Sequence, residues 1–154
     1  MPSFFPQTQG DARHHGTHLE QANCIIAGAL QRSAEAGCKP MAVVVLDEAG
    51  HVKSAQRQDS ASMMRIDIAS GKAWASIAMG AASRVLTQRA KDLPAFFNAL
   101  AATGQGKFIP QTGAVLVKDT DGNVIGAVGA SGGTGDEDEE ICIAGVNAVG
   151  FQAG

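Results

Sequence analysis

The chain has 154 residues, 45% of them apolar and 18% charged, and a formal net charge of −3. That is enough for one globular domain with its own core, and the composition is not that of a disordered chain. With no cluster of Lys and Arg, and no stretch near the ~20 apolar residues of a membrane span, nucleic acid and membrane are both excluded as expected partners.

Residues 1–16 carry Pro2, Pro6, Gly10 and Gly16 without an apolar period, and read as an arm preceding a single domain at 17–154. No basic start followed by an apolar stretch is present, so no secretory signal is expected there. Thr17-His18-Leu19-Glu20 has the form of a capping box. The helix behind it places Leu19, Ala22, Ile26, Ala29, Leu30 and Ser33 on one face and Gln21, Gly28, Gln31, Arg32 and Glu35 on the other, with Gly37 as its stop. Met41 to Leu46 reads as a strand, residues 47–50 as a turn, and His51 to Gln58 as the returning strand.

A long helix is expected over residues 62–82, and residues 84–89 either extend it or form a short helix of their own. Asp92-Leu93-Pro94 starts another, with Asp as cap and Pro in the first turn, ending near Gly104. After a loop at 104–112, residues 113–117 and 123–130 form a second hairpin around the turn 119–122. A Gly-rich loop at 131–135 leads into a last helix over 136–149, which Thr134 and Asp136 can both cap.

The hairpins match each other at six positions: Ala42/Ala114, Val43/Val115, Val45/Val117, Asp47/Asp119, Gly50/Gly122 and Val52/Val124. Shared turn chemistry accounts for this slightly better than duplication. The layout predicts an α/β fold, a mainly antiparallel sheet of two hairpins covered by helices. The 62–82 helix is apolar almost all round, from Ile66 through Trp74 to Ala82, so it needs cover on more than one side. A second subunit would supply it, and the terminal arm or the 92–103 helix are the alternatives within one chain.

The segments LEQANCIIAGALQRSAEAG, MAVVVLDEAGHVKSAQRQDSA, RIDIASGKAWAS and GNVIGAVGASGGTGDEDEEICIAGV, with the pattern Asp67-x-Ala69-x-x-Lys72-Ala73, resemble the GlcG/HbpS family, which includes PduO-type C-terminal domains. The resemblance spans roughly residues 17–150. It implies a profilin-like or PAS-like three-layer fold, closed homo-oligomers including octamers, and haem or iron binding, with oxidative haem breakdown in some members. Others stand among genes for glycolate, diol or aromatic catabolism. Where many relatives carry Gly-Gly-x-Pro-Ile, this chain has Pro110-Gln111-Thr112-Gly113-Ala114-Val115, and that change leaves the substrate open.

Haem needs an axial donor and an apolar slot. The chain has no Tyr, and its histidines are His14, His15, His18 and His51. By the resemblance, a His at the start of the first helix ligates haem, which ranks His18 first; His51, in a hairpin turn, reads as a surface residue. The spacing of His14, His15 and His18 is not that of a designed metal site. The acids at 136–140 are mostly explained by the helix dipole. With no Lys-Ser/Thr after its glycines, the 126–135 segment is no phosphate cradle, and no nucleotide cofactor is expected.

Arg57 and Lys72 can instead hold a carboxylate of a small acid or a haem propionate, with Gly129, Ser131 and Thr134 bringing backbone N–H groups and hydroxyls to it; ordinary ion pairs are the plainer reading of the two cations. Cys24, Cys38 and Cys142 are an odd number without CxxC spacing, which fits a reducing, cytoplasmic setting. No nucleophile–base pairing is signalled. The first expectation is a haem- or iron-binding protein of the GlcG/HbpS type with haem-degrading capacity. The second is a small enzyme or accessory protein of a catabolic pathway that binds an organic-acid or aromatic-derived intermediate, and the third a structural oligomer without chemistry.

Overall fold

A computed structural model describes residues 16–154. Almost all of the expected arm, including His14 and His15, lies outside the described residues.

Helix α1 (Leu19–Glu35) buries Ala22, Ile25, Ile26, Ala29 and Ser33; of the expected face, Leu19 is instead 56% exposed and Leu30 only partly buried, and Ile25 joins the stripe. Its start differs from the expected capping box. Thr17 is fully buried, and both its N–H and its hydroxyl donate to Ile125 O, at 2.9 and 2.8 Å. The cap therefore moves to His18, whose N–H donates to Gln21 Oε1 at 3.0 Å. A tertiary contact has taken the hydroxyl that a local one was expected to use.

Strands β1 (Ala42–Asp47) and β2 (Val52–Arg57) form the first hairpin, and β3 (Ala114–Lys118) and β4 (Val124–Ser131) the second. Their shared residues do the same work. Asp47 Oδ1 accepts from the N–H groups of Ala49 and His51, and Asp119 Oδ1 from those of Asp121 and Asn123. Gly50 and Gly122 take φ of 83° and 84°, a region that favours glycine. The register also slips at equivalent places, between Val45 and Leu46 and between Val117 and Lys118. The hairpins lie side by side, β1 antiparallel to β4, in the strand order β2-β1-β4-β3-β5. The last strand, β5 (Gln152–Ala153), was not expected; it pairs with β3, and Gly154 exchanges two backbone hydrogen bonds with Leu116.

Alternation along the central strands divides the core in two. Val43, Val45, Val115, Val117 and Val128 pack under α1 and α5 (Gly135–Ala148), against Ile25, Ile26, Ile141 and Val146. Val44, Leu46, Ala114, Leu116 and Ala127 face Ala69 and Ala73 of α2 (Met64–Met79) on the other side. The result is the expected three-layer α/β architecture.

Helix α2 ends earlier than expected, at Gly80 with φ 66°, and α3 (Ser83–Asp92) and α4 (Pro94–Thr103) follow as separate helices. Leu93, not Asp92, caps α4, because Asp92 still closes α3. These elements answer the question of what covers the apolar middle helix. Ala75, Leu86, Phe97 and Phe108 form a third cluster, Trp74 meets Phe108 edge-on at 6.4 Å, and Ile109 lies over Gly71. The Trp74 and Ala75 side of α2 is thus covered within the chain, by α3, Phe97 of α4 and the loop behind it, while Met64 at its start stays 56% exposed. No helix among the described residues is long and apolar enough to cross a membrane.

Candidate functional site

Arg65, Ile68 and Lys72 stand at i, i+3 and i+7 on α2 and so share one face. That face looks onto Ser131 at the end of β4, the loop to Thr134, the first turn of α5, and Gln111 and Thr112 ahead of β3. Together they line an open cleft of about 420 Å³.

Its floor is a buried ion pair. Lys72 Nζ donates to Asp138 Oδ2 and to Ala130 O, both at 3.1 Å, and the two side chains are only 7% and 2% exposed. Asp138 Oδ1 accepts from Gly133 N–H at 2.9 Å, which ties the Gly-rich loop to the pair. Burial pushes the Asp138 carboxyl above its ordinary value, against the opposing pull of Lys72, the Gly133 N–H and Arg65. Gly113, at φ 136°, makes room for the lysine: a Cβ there would stand 2.7 Å from Nζ.

At the mouth, Arg65 is half-buried and donates from Nη1 to Ser131 Oγ at 3.2 Å. Asp136 is held by Arg84, which also donates to Glu139 at 3.0 Å. Thr134 caps α5: its hydroxyl accepts from Glu137 N–H at 3.2 Å, and its own N–H donates to Glu137 Oε1 at 2.9 Å. The Thr134 N–H holds Glu137 below the usual carboxylate range, so this part of the cap is lost as pH falls through that lowered value. Thr134→Ala is expected to cost about 1 kcal/mol in urea unfolding, the usual size of a lost N-cap.

Of the expected binding residues, Lys72, Ser131 and Thr134 meet in this cleft. Gly129 does not line it. It lies beneath α2, where a Cβ would come 2.2 Å from Ala69 O, so its role is close packing. Arg57 does not join Lys72 either. The register sets Arg57, Ala42 and Ser131 in one row, two strand spacings or about 10 Å from Arg57 to Ser131. The Arg57 guanidinium turns to Ala61 O at 2.5 Å and borders a different cleft with Cys38, Pro40, Gln58 and Asp59. Arg65 occupies the place expected for it. Gln111 and Thr112 come from the 110–115 loop, whose departure from its relatives already marked it as a ligand wall. Arg65 and Asp138 were not expected; the i, i+3, i+7 spacing of 65, 68 and 72 was the available signal, whereas Asp138 was masked by its acidic neighbours.

The histidines sit elsewhere. His18 is anchored beside Ile125 through Thr17, and Ile125 to Ser131 is six strand residues, about 20 Å. His51 is also at the hairpin-turn end; its side chain is 81% exposed, with Nδ1 3.9 Å from Asp47. No group of three or more His, Cys, Asp or Glu among the described residues is placed to hold a metal ion. Cys24 is exposed, while Cys142 is buried and its thiol is pushed far up by desolvation, so it is no nucleophile.

Comparison with known proteins agrees with the fold. The haem complex of PduOC is 24% identical with a TM-score of 0.78, over 88% of this chain and 96% of that one. Protein ORFY of Klebsiella pneumoniae is 24% identical with a TM-score of 0.79, over 96% and 98%. A double mutant of HbpS from Streptomyces reticuli is 24% identical with a TM-score of 0.74, over 96% and 99%. At these identities the likeness is one of fold. A search of curated proteins gives no match. A family model described as haem degrading protein HbpS-like matches residues 18–147, nearly the whole of the described chain. The chain belongs to the HbpS-like family.

Proposed function

We propose that this protein binds haem, with His18 as the axial donor, at the end of the sheet where the hairpins turn. The observation that carries the reading is membership of the HbpS-like family across residues 18–147. The residues at that end suit the group. His18 is half-buried at the start of α1, and Leu19, Val52 and Val124, all at this end, are 56%, 60% and 41% exposed. An imidazole and exposed large apolar side chains at one end of the sheet meet the two needs of a porphyrin, an iron ligand and an apolar wall. These side chains form an open surface, so a second copy of the chain is the natural cover for the porphyrin's other side, and self-association belongs to the same reading. Haem bound here supplies redox-active iron; the chain's own part is to ligate, orient and shield it.

Titration of the full chain with haemin is expected to give a saturable Soret shift with the spectrum of histidine-ligated iron. His18→Ala should abolish it, and His51→Ala should leave it unchanged. No saturable shift in the wild-type chain, or an unaltered one in His18→Ala, would contradict the reading. Haem degradation, the activity in the family's description, would appear as loss of Soret absorbance under ascorbate and oxygen.

A further inference from the structure

We propose that the Arg65 cleft is a second, separate ligand site, built for a small hydroxycarboxylate. Four ionisable side chains line the cleft: Arg65, Lys72, Asp136 and Asp138. Lys72 and Asp138 neutralise each other in the floor, and Asp136 is held from outside by Arg84. Arg65 remains: among the described residues no carboxylate lies within ion-pair distance of it, and its one hydrogen bond is to the neutral Ser131 hydroxyl. A half-buried guanidinium with most of its five donors uncommitted is an anchor for a planar, bidentate acceptor, and carboxylate is the small group with that shape.

The rest of the cleft selects what the carboxylate is attached to. Gln111, Thr112 and Ser131 offer an amide and two hydroxyls, while Ile68 is the single apolar side chain of the lining. The first-turn N–H groups of Gly135 and Asp136 are not used within α5 and border the same space. Such walls reward a ligand that carries hydroxyl groups beside its carboxylate and give little to an aromatic ring. The volume, about 420 Å³, falls at the lower end of small-molecule sites. Lys72 and Asp138 act as positioning residues: through Ala130 O and Gly133 N–H they fix the strand end and loop that present Ser131.

The test is calorimetric titration of the full chain with lactate and with glycerate, using lactamide as the uncharged control. Saturable binding of at least one acid is expected, with no binding of lactamide. Arg65→Gln should weaken it about tenfold or more, the usual size of a lost charge-assisted contact. Ser131→Ala should weaken it less, and an unchanged melting curve in either variant separates binding from folding. Haemin binding should be untouched in Arg65→Gln. Failure of both acids to bind the wild-type chain, equal binding of lactamide, or wild-type affinity in both variants would overturn the proposal. So would loss of haemin binding in a folded Arg65→Gln, which would make the cleft's anion a haem propionate. The haem reading stands or falls by a different titration: acid binding without haemin binding sinks that reading alone, and the converse sinks this one alone.

Discussion

Lys72→Met is expected to destabilise the fold by about 3–5 kcal/mol, the usual consequence of stripping one partner from a buried ion pair. The ammonium makes two hydrogen bonds at 3.1 Å, and its removal leaves Asp138 in a 2% exposed position with only the Gly133 N–H and the more distant Arg65 in its favour. The loss should be largely recovered in Lys72→Met/Asp138→Leu, where neither charge remains, because an apolar pair of similar volume carries no desolvation penalty. The pH dependence has a defined sign. Burial already raises the Asp138 carboxyl above its unfolded value, so the native state holds the proton more tightly than the unfolded chain does. Stability therefore declines as pH rises from the ordinary carboxylate range through the raised value. Without Lys72 the carboxyl rises further, so the single variant should regain stability on acidification over a wider window than wild type. Urea unfolding at a series of pH values reads both effects. A single variant as stable as wild type, with no added pH slope, would mean that the pair is not closed in solution.

Gly129→Val is expected to cost about 3 kcal/mol or more, at or beyond the upper end of ordinary overpacking. A Cβ on Gly129 would stand 2.2 Å from Ala69 O and 3.2 Å from the Ala73 Cβ. The first obstacle is a backbone oxygen within a helix, which no rotamer change removes. Relief requires α2 to lift from β4 as a body, which unpacks Ala69 and Ala73 from Val44 and Leu116. Arg65 and Lys72 ride on the same helix, so hydroxycarboxylate binding should fall with stability. A thermal melt within a degree of wild type would show that α2 does not sit this close to the sheet.

The parts of this fold legible in the sequence are those fixed by local chemistry. Asp47 and Asp119 close their turns through their own side chains, with Gly50 and Gly122 adopting the backbone angle each turn needs, so both hairpins could be read directly. The stripe of Ala22, Ile26 and Ala29 identified α1 for the same reason. What failed was decided by distant partners. Thr17 looked like a cap, and its hydroxyl is taken by Ile125, more than a hundred residues away. The cover of Trp74 comes from Phe108 and Phe97, whose approach depends on how α4 folds back. β5 is two residues long and has no pattern to detect.

The candidate site divides in the same way. Ser131 and Thr134 flank a recognisable turn and helix start, Lys72 stands in the middle of the apolar helix α2, and the three do converge. Choosing between Arg57 and Arg65 required knowing which residues of β2 and α2 reach the end of β4. Arg57 lies level with Ser131 but two strands off, whereas Arg65 reaches it from above. Asp138 was hidden by its surroundings: of five consecutive acids it is the one whose position in the first turn of α5 points into the core.

Two chemistries thus fall at opposite ends of one sheet, the proposed haem donor at the turns and the proposed anion anchor about 20 Å away along β4. Parallel haemin titrations of wild type, His18→Ala and Arg65→Gln test this arrangement most directly. The account predicts a Soret shift lost in His18→Ala and retained at wild-type affinity in Arg65→Gln. Retention in His18→Ala, or loss in a folded Arg65→Gln, would contradict it.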